Sequence, residues 1–116
     1  MQIFQHHIYE FKKGVRDMIL CTLPSGKEDF VKQKLEKNNI CYMIQKLKNG
    51  NINVFFGKEE CLVVAKHLCL NKPLNELTPE EDFMLGVLLG YSVSEQCHRY
   101  CKTCSKRKKS NAILSF

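Results

Sequence analysis

The dipeptide Asn49-Gly50 constrains the fold of this chain more than any other feature of its sequence. It separates two runs rich in β-branched and aromatic residues, 40–47 (ICYMIQKL) and 51–56 (NINVFF). A tight type I′ turn needs positive φ at both central residues, which Asn and Gly tolerate. The spacing therefore predicts an antiparallel hairpin. Asn51 and Asn53 alternate with apolar residues in the second run, which predicts a strand with one buried face.

Two further strands are predicted near the N-terminus. Residues 3–11 (IFQHHIYEF) and 15–23 (VRDMILCTL) are rich in the aromatic and β-branched types that favour strands. Residues 12–14 (KKG) fit a turn between them. Because this link is short, we expect the two strands to form a second antiparallel hairpin.

A helix is predicted after each hairpin. Ser25 and Glu28 fit a capping box, in which each side chain bonds the free backbone N–H of the other residue. This helix is expected to run to about Lys37. Gly57 starts the next helix, which continues to about Leu68.

The predicted order of these elements is β-β-α-β-β-α. A ferredoxin-like sheet is built from β-α-β-β-α-β, with its last strand beside its first. Moving that last strand to the front gives the order predicted here. The expected fold class is therefore α+β, with a circularly permuted ferredoxin-like antiparallel sheet and two additional C-terminal helices.

The first of these C-terminal helices has a complete set of end markers. Thr78 fits the N-cap, Pro79 the first helical position, and Glu81 the capping box with Thr78. Gly90 fits the C′ position, where a helix commonly ends in a left-handed residue. The sequence thus predicts a helix that ends near Leu89.

The second C-terminal helix is expected to begin at Ser92 or Ser94 and to reach about Cys104. The rest of the chain is basic and then mildly apolar. We therefore predict one α+β domain over residues 1–104 and a flexible basic tail over residues 105–116.

The length, hydropathy and cysteine content of the chain limit the classes of protein to which it can belong. Its 116 residues fit one domain but no catalytic barrel. The longest apolar run, 84–91, has eight residues, whereas a membrane-spanning helix needs about 20. The N-terminal residues lack a secretory pattern, and seven cysteines, an odd number, fit reduced thiols. We expect a cytoplasmic protein.

Catalytic patterns are weak in this sequence. It shows no specific Ser-His-Asp arrangement and no glycine-rich phosphate loop. The acidic run Glu80-Glu81-Asp82 is explained by its place at a helix start, where negative charge is favourable. The sequence therefore favours a protein that is not an enzyme.

Four motifs carry a resemblance to a known family: HHIYEF (6–11), NINVFFG (51–57), LTPEEDFMLGVLLGY (77–91) and QCHRY (96–100). Through them the chain resembles a small bacterial family of uncharacterised proteins, over roughly residues 1–101. The resemblance implies a bacterial cytoplasmic protein that forms an α/β homodimer. It supplies no catalytic residues.

Cys97, Cys101 and Cys104 have the C-x₃-C-x₂-C spacing of a three-cysteine iron–sulfur site. Zinc is an alternative, with His98 as a fourth ligand. The same cysteines recur at steps of three and four residues, which is one face of a helix. In a continuous helix the Cα atoms of Cys97 and Cys104 are about 10 Å apart. A stripe of packed, reduced cysteines is therefore the favoured interpretation.

His6, His7 and Glu10 form a candidate ligand-binding site. Adjacent residues on a strand point to opposite faces, so on the predicted strand only His6 and Glu10 would share a face. The alternative is that one histidine is exposed and the other is hydrogen-bonded at the rim of the core.

Gly86 and Gly90 lie four residues apart, and small residues at this spacing let another backbone approach closely. We expect them at a dimer interface. The alternative, compatible with the first, is tight packing within the chain together with a helix cap.

Lys106, Arg107, Lys108 and Lys109 form a cationic run in the tail. Such a run can neutralise phosphates without reading a base sequence. The alternative is a solvated tail with no partner.

The leading hypothesis from the sequence is a dimeric, non-enzymatic binding or regulatory module that receives a small molecule or a protein partner. A metal or redox protein using Cys97, Cys101 and Cys104 is the alternative. Weak nucleic-acid binding through the basic tail is a second alternative.

Overall fold

A computed structural model describes residues 2–69 and 72–107, with the side chains of 105–107 excepted. Within these ranges the protein is α+β, with one antiparallel sheet of three strands and five helices. None of these helices combines the length and the apolar character needed to cross a membrane. The elements are α1 (Gln2–Lys12), β1 (Met18–Pro24), α2 (Glu28–Lys37), β2 (Cys41–Lys46), β3 (Asn51–Gly57), α3 (Glu59–Cys69), α4 (Pro79–Leu88) and α5 (Val93–Arg107).

The predicted central hairpin is confirmed as the β2–β3 pair. The sheet order is β1-β3-β2, so β3 lies in the middle and pairs antiparallel with both neighbours. The backbone N–H of Leu47 donates to the Asn51 carbonyl at 3.0 Å and closes the turn. Gly50 has φ +85°, whereas Asn49 has no positive φ. The prediction of a type I′ turn was therefore wrong, since that turn needs positive φ at both residues.

Strand β3 is buried on both faces, which corrects the prediction of one buried face. Ile52, Val54 and Phe56 point toward α1 and α2, and Phe55 points toward α3 and α4. Helices thus cover both sides of the sheet and leave β3 between two apolar clusters. The helical residues buried in these clusters are Phe4 and Ile8 of α1, Val31 and Leu35 of α2, Leu62, Ala65 and Cys69 of α3, and Leu85 of α4, with Leu89 directly after it.

The strand predicted over residues 3–11 is wrong, because these residues form helix α1. Phe4 and Ile8 are its buried residues, and they lie about one helical turn apart. The sheet therefore has three strands in the described ranges, and the element order begins α-β-α-β-β-α. A permuted ferredoxin-like arrangement is not confirmed, because it requires the missing strand.

The predicted capping box is confirmed at α4 but not at α2, although α2 extends to Lys37 as predicted. Thr78 Oγ1 accepts from the Glu81 N–H at 3.1 Å, and Glu81 Oε1 accepts from the Thr78 N–H at 2.9 Å. Gly90 follows the helix with φ +80°. The Ser25–Glu28 capping box was wrong, because Ser25–Lys27 form a 3₁₀ turn that leaves no side-chain cap on α2.

Helix α5 starts at one of the two predicted serines. Ser92 Oγ accepts from the Glu95 N–H at 3.4 Å, an N-cap arrangement. Within the described residues the helix reaches Arg107, three residues beyond the predicted end at Cys104.

Candidate functional site

The three cysteines of the predicted metal site lie on α5, which is one uninterrupted helix. Cys97 and Cys101 are exposed and Cys104 is half-buried. About 1.5 Å of rise per residue places Cys97 and Cys104 too far apart for one zinc with bonds of about 2.3 Å. His98 lines a separate, shallow depression of about 570 Å³ that residues of α5 alone form. Among the residues that the structure describes, no three His, Cys, Asp or Glu side chains are grouped to hold a metal ion.

The QCHRY motif of α5 packs against the LTPEEDF motif of α4. Arg99 Nε donates to Asp82 Oδ2 at 2.6 Å, and its Nη2 donates to Oδ1 at 3.1 Å. The Tyr100 hydroxyl donates to Glu80 Oε2 at 3.1 Å. Hydrogen bonds with Cys104 and Glu80 raise the pKa of Tyr100 to about 12. These two motifs therefore have a structural role, because they hold α5 on α4.

Gly86 and Gly90 also have roles within their own chain. Gly86 is buried, and a Cβ atom there would lie 3.0 Å from Gln96 Cγ and closer still to the Gln96 amide. Its lack of a side chain lets α5 approach α4. Gly90 has φ +80° and ends α4, a conformation that L-residues rarely adopt. The dimer interface at these glycines stays a prediction.

His6, His7 and Glu10 come together because they lie on a helix. Glu10 Oε1 lies 3.2 Å from His7 Nδ1 and 3.8 Å from His6 Nε2. The expectation that only His6 could share a face with Glu10 was wrong, since it assumed a strand. Residues three and four apart on a helix are neighbours, so both histidines reach the same carboxylate. The His6 side chain is 68% exposed, which makes this group a surface cluster.

Arg16 extends this cluster to the end of α4. Its Nη1 lies 4.0 Å from Glu10 Oε1, and its Nη2 and Nε donate to the Leu89 carbonyl at 3.2 and 3.4 Å. The guanidinium carbon lies 5.7 Å from the centre of the Tyr91 ring. The last carbonyls of a helix lack partners within the helix, and Arg16 satisfies one of them. The cluster therefore fastens α1 to α4.

We expect Arg16→Met to lower the free energy of unfolding by about 2 kcal/mol, because it leaves the Leu89 carbonyl without this charged donor. Urea denaturation followed by circular dichroism measures the change. Lys13→Met is the control, since the exposed side chain of Lys13 has its Nζ over the Tyr9 ring, 5.5 Å from the ring centre. Equal losses in the two variants would contradict the role assigned to Arg16.

The predicted nucleic-acid site lies mostly outside the described residues. Lys106 and Arg107 belong to helix α5, but their side chains are not described. Lys108 and Lys109 lie outside the described ranges altogether. Nucleic-acid binding by this run stays a prediction.

A groove of about 1220 Å³ runs along β2, and we call it the β2 groove. One wall consists of seven consecutive residues, Met43 to Asn49. Adjacent side chains of a strand point to opposite faces of the sheet. Consecutive residues of a strand can therefore line the same groove only if the groove lies beside the edge of that strand. The other wall consists of Pro73 to Glu76, with Lys66 and Cys69 of α3.

The outer edge of β2 presents backbone hydrogen-bonding groups to this groove. Hydrogen-bonded pairs alternate along an antiparallel ladder, and the Leu47–Asn51 bond fixes the alternation here. Met43 and Gln45 therefore bond to β3, while the N–H and C=O groups of Tyr42 and Ile44, and likewise of Lys46, point away from it. No strand in the described ranges pairs with this edge.

A row of polar side chains crosses the sheet beneath the groove. Thr22 Oγ1 donates to Asn53 Oδ1 at 2.6 Å, and Asn53 Nδ2 donates to Gln45 Oε1 at 3.0 Å. Gln45 Nε2 then donates to the Lys72 carbonyl at 3.0 Å. Asn53 is only 4% exposed, so its polar atoms need these partners. The row ends at the residue before Pro73 and holds the far wall of the groove beside β2.

The charged side chains around the groove are mostly cationic. Lys46, Lys48 and Lys66 line it, and Glu76 is the one acidic residue of the lining. Within the described part of the chain, none of the four forms an ion pair. The groove thus carries an excess of positive charge.

The surroundings of the thiol in the groove favour its neutral form. Cys69 is buried, and burial together with the nearby Glu81 charge raises the pKa of its thiol. Lys72, which lowers that pKa, is held 2.5 Å from Glu81 Oε1. The Lys72 hydrogen bond and the Thr78 backbone lower the pKa of Glu81. A neutral thiol is a poor nucleophile and a poor metal ligand.

Sequence reasoning missed this groove. Polar Asn53 and Gln45 stand inside otherwise apolar strands, and a buried polar side chain needs a partner or a function. That pattern could have drawn attention to the sheet face that they share.

Comparison with known proteins gives a family and no activity. The model of a family described as a protein of unknown function (DUF2023) matches residues 2–103. This span is close to the one over which the four motifs carry the resemblance. No curated protein matches the chain.

Proposed function

We propose that this chain, which belongs to the DUF2023 family of proteins of unknown function, is a non-enzymatic binding module that takes up an extended protein segment along the edge of β2. The supporting observation is that Ile44 and Lys46, whose backbone groups point away from β3 at the open edge of the described sheet, line the β2 groove. The family match leaves the activity open, so the proposal rests on this geometry.

An added strand is the ligand that matches these groups best. A peptide laid beside an open edge bonds its own N–H and C=O groups to the strand, and its alternate side chains enter the pockets on either face. The six residues of β2 span about 20 Å, enough for a segment of about six residues. The Gln45–Lys72 bond keeps the far wall in place, so the groove exists before the ligand arrives.

The other open edge of the sheet is less suitable. The Ser25 N–H donates to the Gly50 carbonyl at 3.0 Å, so alternation directs the groups of Leu20, Thr22 and Pro24 outward from β1. Pro24 has no N–H to donate. The β2 groove has no residue of β1 in its lining.

Replacing Ile44 by proline should abolish strand addition without breaking the sheet. The Ile44 N–H points outward, so proline removes a donor to the ligand and none to β3, and edge strands tolerate proline there. Ile44→Ala is the matched control, because it also truncates the side chain but keeps the N–H.

The measurement is fluorescence polarisation with labelled octapeptides that alternate valine with serine, glutamate or lysine. We expect saturable binding of at least one peptide by the natural chain and by Ile44→Ala, and at least about a tenfold loss in Ile44→Pro. Circular dichroism establishes that both variants fold. Equal affinities of the two folded variants, or no saturable binding of any peptide, would refute the proposal.

A second copy of this chain could also occupy the edge. Analytical ultracentrifugation of the natural chain and of Ile44→Pro measures their masses and so distinguishes self-association from binding of a different protein. A dimer that Ile44→Pro dissociates would identify the occupant as another copy and would overturn the proposal of a different protein partner.

A further inference from the structure

We infer that the β2 groove selects acidic segments, in which aspartate or glutamate alternates with apolar residues. This inference rests on the proposed strand addition and adds the chemistry of the partner. It depends on where the lysines lie relative to the edge of β2.

The cations stand at both walls of the groove. Lys46 and Lys48 belong to the β2 wall, and Lys66 projects from α3 on the opposite wall. An extended segment between the walls would therefore have a cation on each side. Alternate residues of a strand point to one face and are about 7 Å apart, so successive carboxylates can meet different lysines.

The three lysines are not equally available. The hydrogen bond with Lys32 does most to lower the pKa of Glu28, and the charge of Lys46 adds to that lowering, so Lys46 also interacts with a carboxylate of α2. Lys48 and Lys66 form no ion pair within the described part of the chain, and both are exposed. Lys48 and Lys66 should therefore dominate the selection of the ligand. Glu76, which also lines the groove, would repel an acidic ligand.

A polypeptide fits this groove better than a nucleic-acid strand. Binding of single-stranded nucleic acid normally uses exposed aromatic rings on which bases stack. The aromatic side chain in the lining is Phe55, which is 1% exposed and belongs to the core. The open strand edge, by contrast, offers the alternating donors and acceptors that only another polypeptide backbone repeats.

The test compares the valine–glutamate octapeptide with the valine–lysine octapeptide at low salt. The exposed lysines should attract the glutamate peptide and repel the lysine peptide through two or three charge contacts. We therefore expect the glutamate peptide to bind about tenfold more tightly. The difference should shrink in about 0.5 M NaCl, because salt screens exposed charges. A labelled oligothymidylate is the third probe.

Lys48→Glu with Lys66→Glu should reverse the preference between the two peptides. The control exchanges Lys13 and Lys37 for glutamate, since both are exposed and lie outside the lining of the groove. This control changes the net charge by the same amount and should leave the preference as it is.

The possible results separate this inference from the proposed function. If both charged peptides bind equally and Ile44→Pro abolishes both, strand addition holds and the acidic preference is refuted. If only the valine–serine octapeptide binds, strand addition holds and the acidic preference is refuted. If none of the three octapeptides binds, strand addition itself fails, and the inference fails with it. Oligothymidylate that binds more tightly than either peptide, and that is lost in the Lys48/Lys66 variant, would assign the lysines to nucleic acid and overturn the inference.

Discussion

Gly57→Ala should lower the free energy of unfolding by about 3 kcal/mol or more. Gly57 is the last residue of β3 and has φ +149°, a conformation that L-residues rarely adopt. A Cβ atom there would lie 2.8 Å from the Met18 Cα and closer still to the Asp17 carbonyl oxygen. Both obstacles are backbone atoms, so no rotamer change relieves the clash, and β1 would have to move away from β3.

Gly26→Ala is the matched control for this substitution. A Cβ atom at Gly26 meets nothing within 4 Å, and its φ is not positive. We expect Gly26→Ala to change the free energy of unfolding by no more than about 0.5 kcal/mol, or to raise it slightly, because alanine restricts the conformations of the unfolded chain. Urea denaturation of both variants measures the difference. Similar midpoints would show that the β1–β3 contact does not depend on Gly57.

Phe56→Ala should cost about 3–5 kcal/mol, the usual range for a fully buried aromatic residue. Phe56 is 0% exposed, and its ring makes edge contacts with Phe4 at 5.7 Å and Phe11 at 6.4 Å. The substitution would leave a cavity between α1 and the sheet. A domain of this size is stable by about 5–15 kcal/mol, so a large share of its stability would be lost.

Phe30→Ala serves as the control for Phe56→Ala. Phe30 also lies near Phe4, at 6.4 Å between ring centres, but it is 40% exposed. Its loss should cost less than half as much, because solvent already reaches the ring. Thermal and urea unfolding measure both variants. An equal loss of unfolding free energy in Phe30→Ala and Phe56→Ala would contradict the assignment of Phe56 to the core.

The sequence predicts the parts of this fold that depend on neighbouring residues. The hairpin around Gly50 forms because the turn and both strands are contiguous. The Thr78–Glu81 capping box forms because its two side chains need only each other and the local backbone. Such features require no knowledge of what packs against them.

The strand prediction at α1 was wrong because it gave more weight to residue type than to the spacing of the apolar residues. Aromatic and β-branched residues over 3–11 suggested a strand. The spacing of Phe4, Ile8 and Phe11 at four and three residues is that of a helix face, and it is the face that α1 buries or partly buries. Composition gives a weaker prediction than periodicity when the two disagree.

The candidate site lay beyond what the sequence could predict, for a topological reason. The β2 groove combines β2 with Lys66 and with residues 73–76, which are distant in sequence. Only the fold brings these walls together. The cysteine motif, by contrast, was visible in the sequence, but the continuous helix α5 keeps Cys97 and Cys104 too far apart to share one metal ion.

The order of the strands has a consequence for synthesis on the ribosome. Strand β1 is made first, yet its only partner in the described sheet is β3, which is made last. Until Gly57 has emerged, both edges of β1 stay uncovered, and its sequence MILCTLP has no charged residue to discourage association with other chains. The nascent chain is thus most exposed to aggregation between the emergence of β1 and the completion of β3, an interval set by topology and not by the stability of the finished protein.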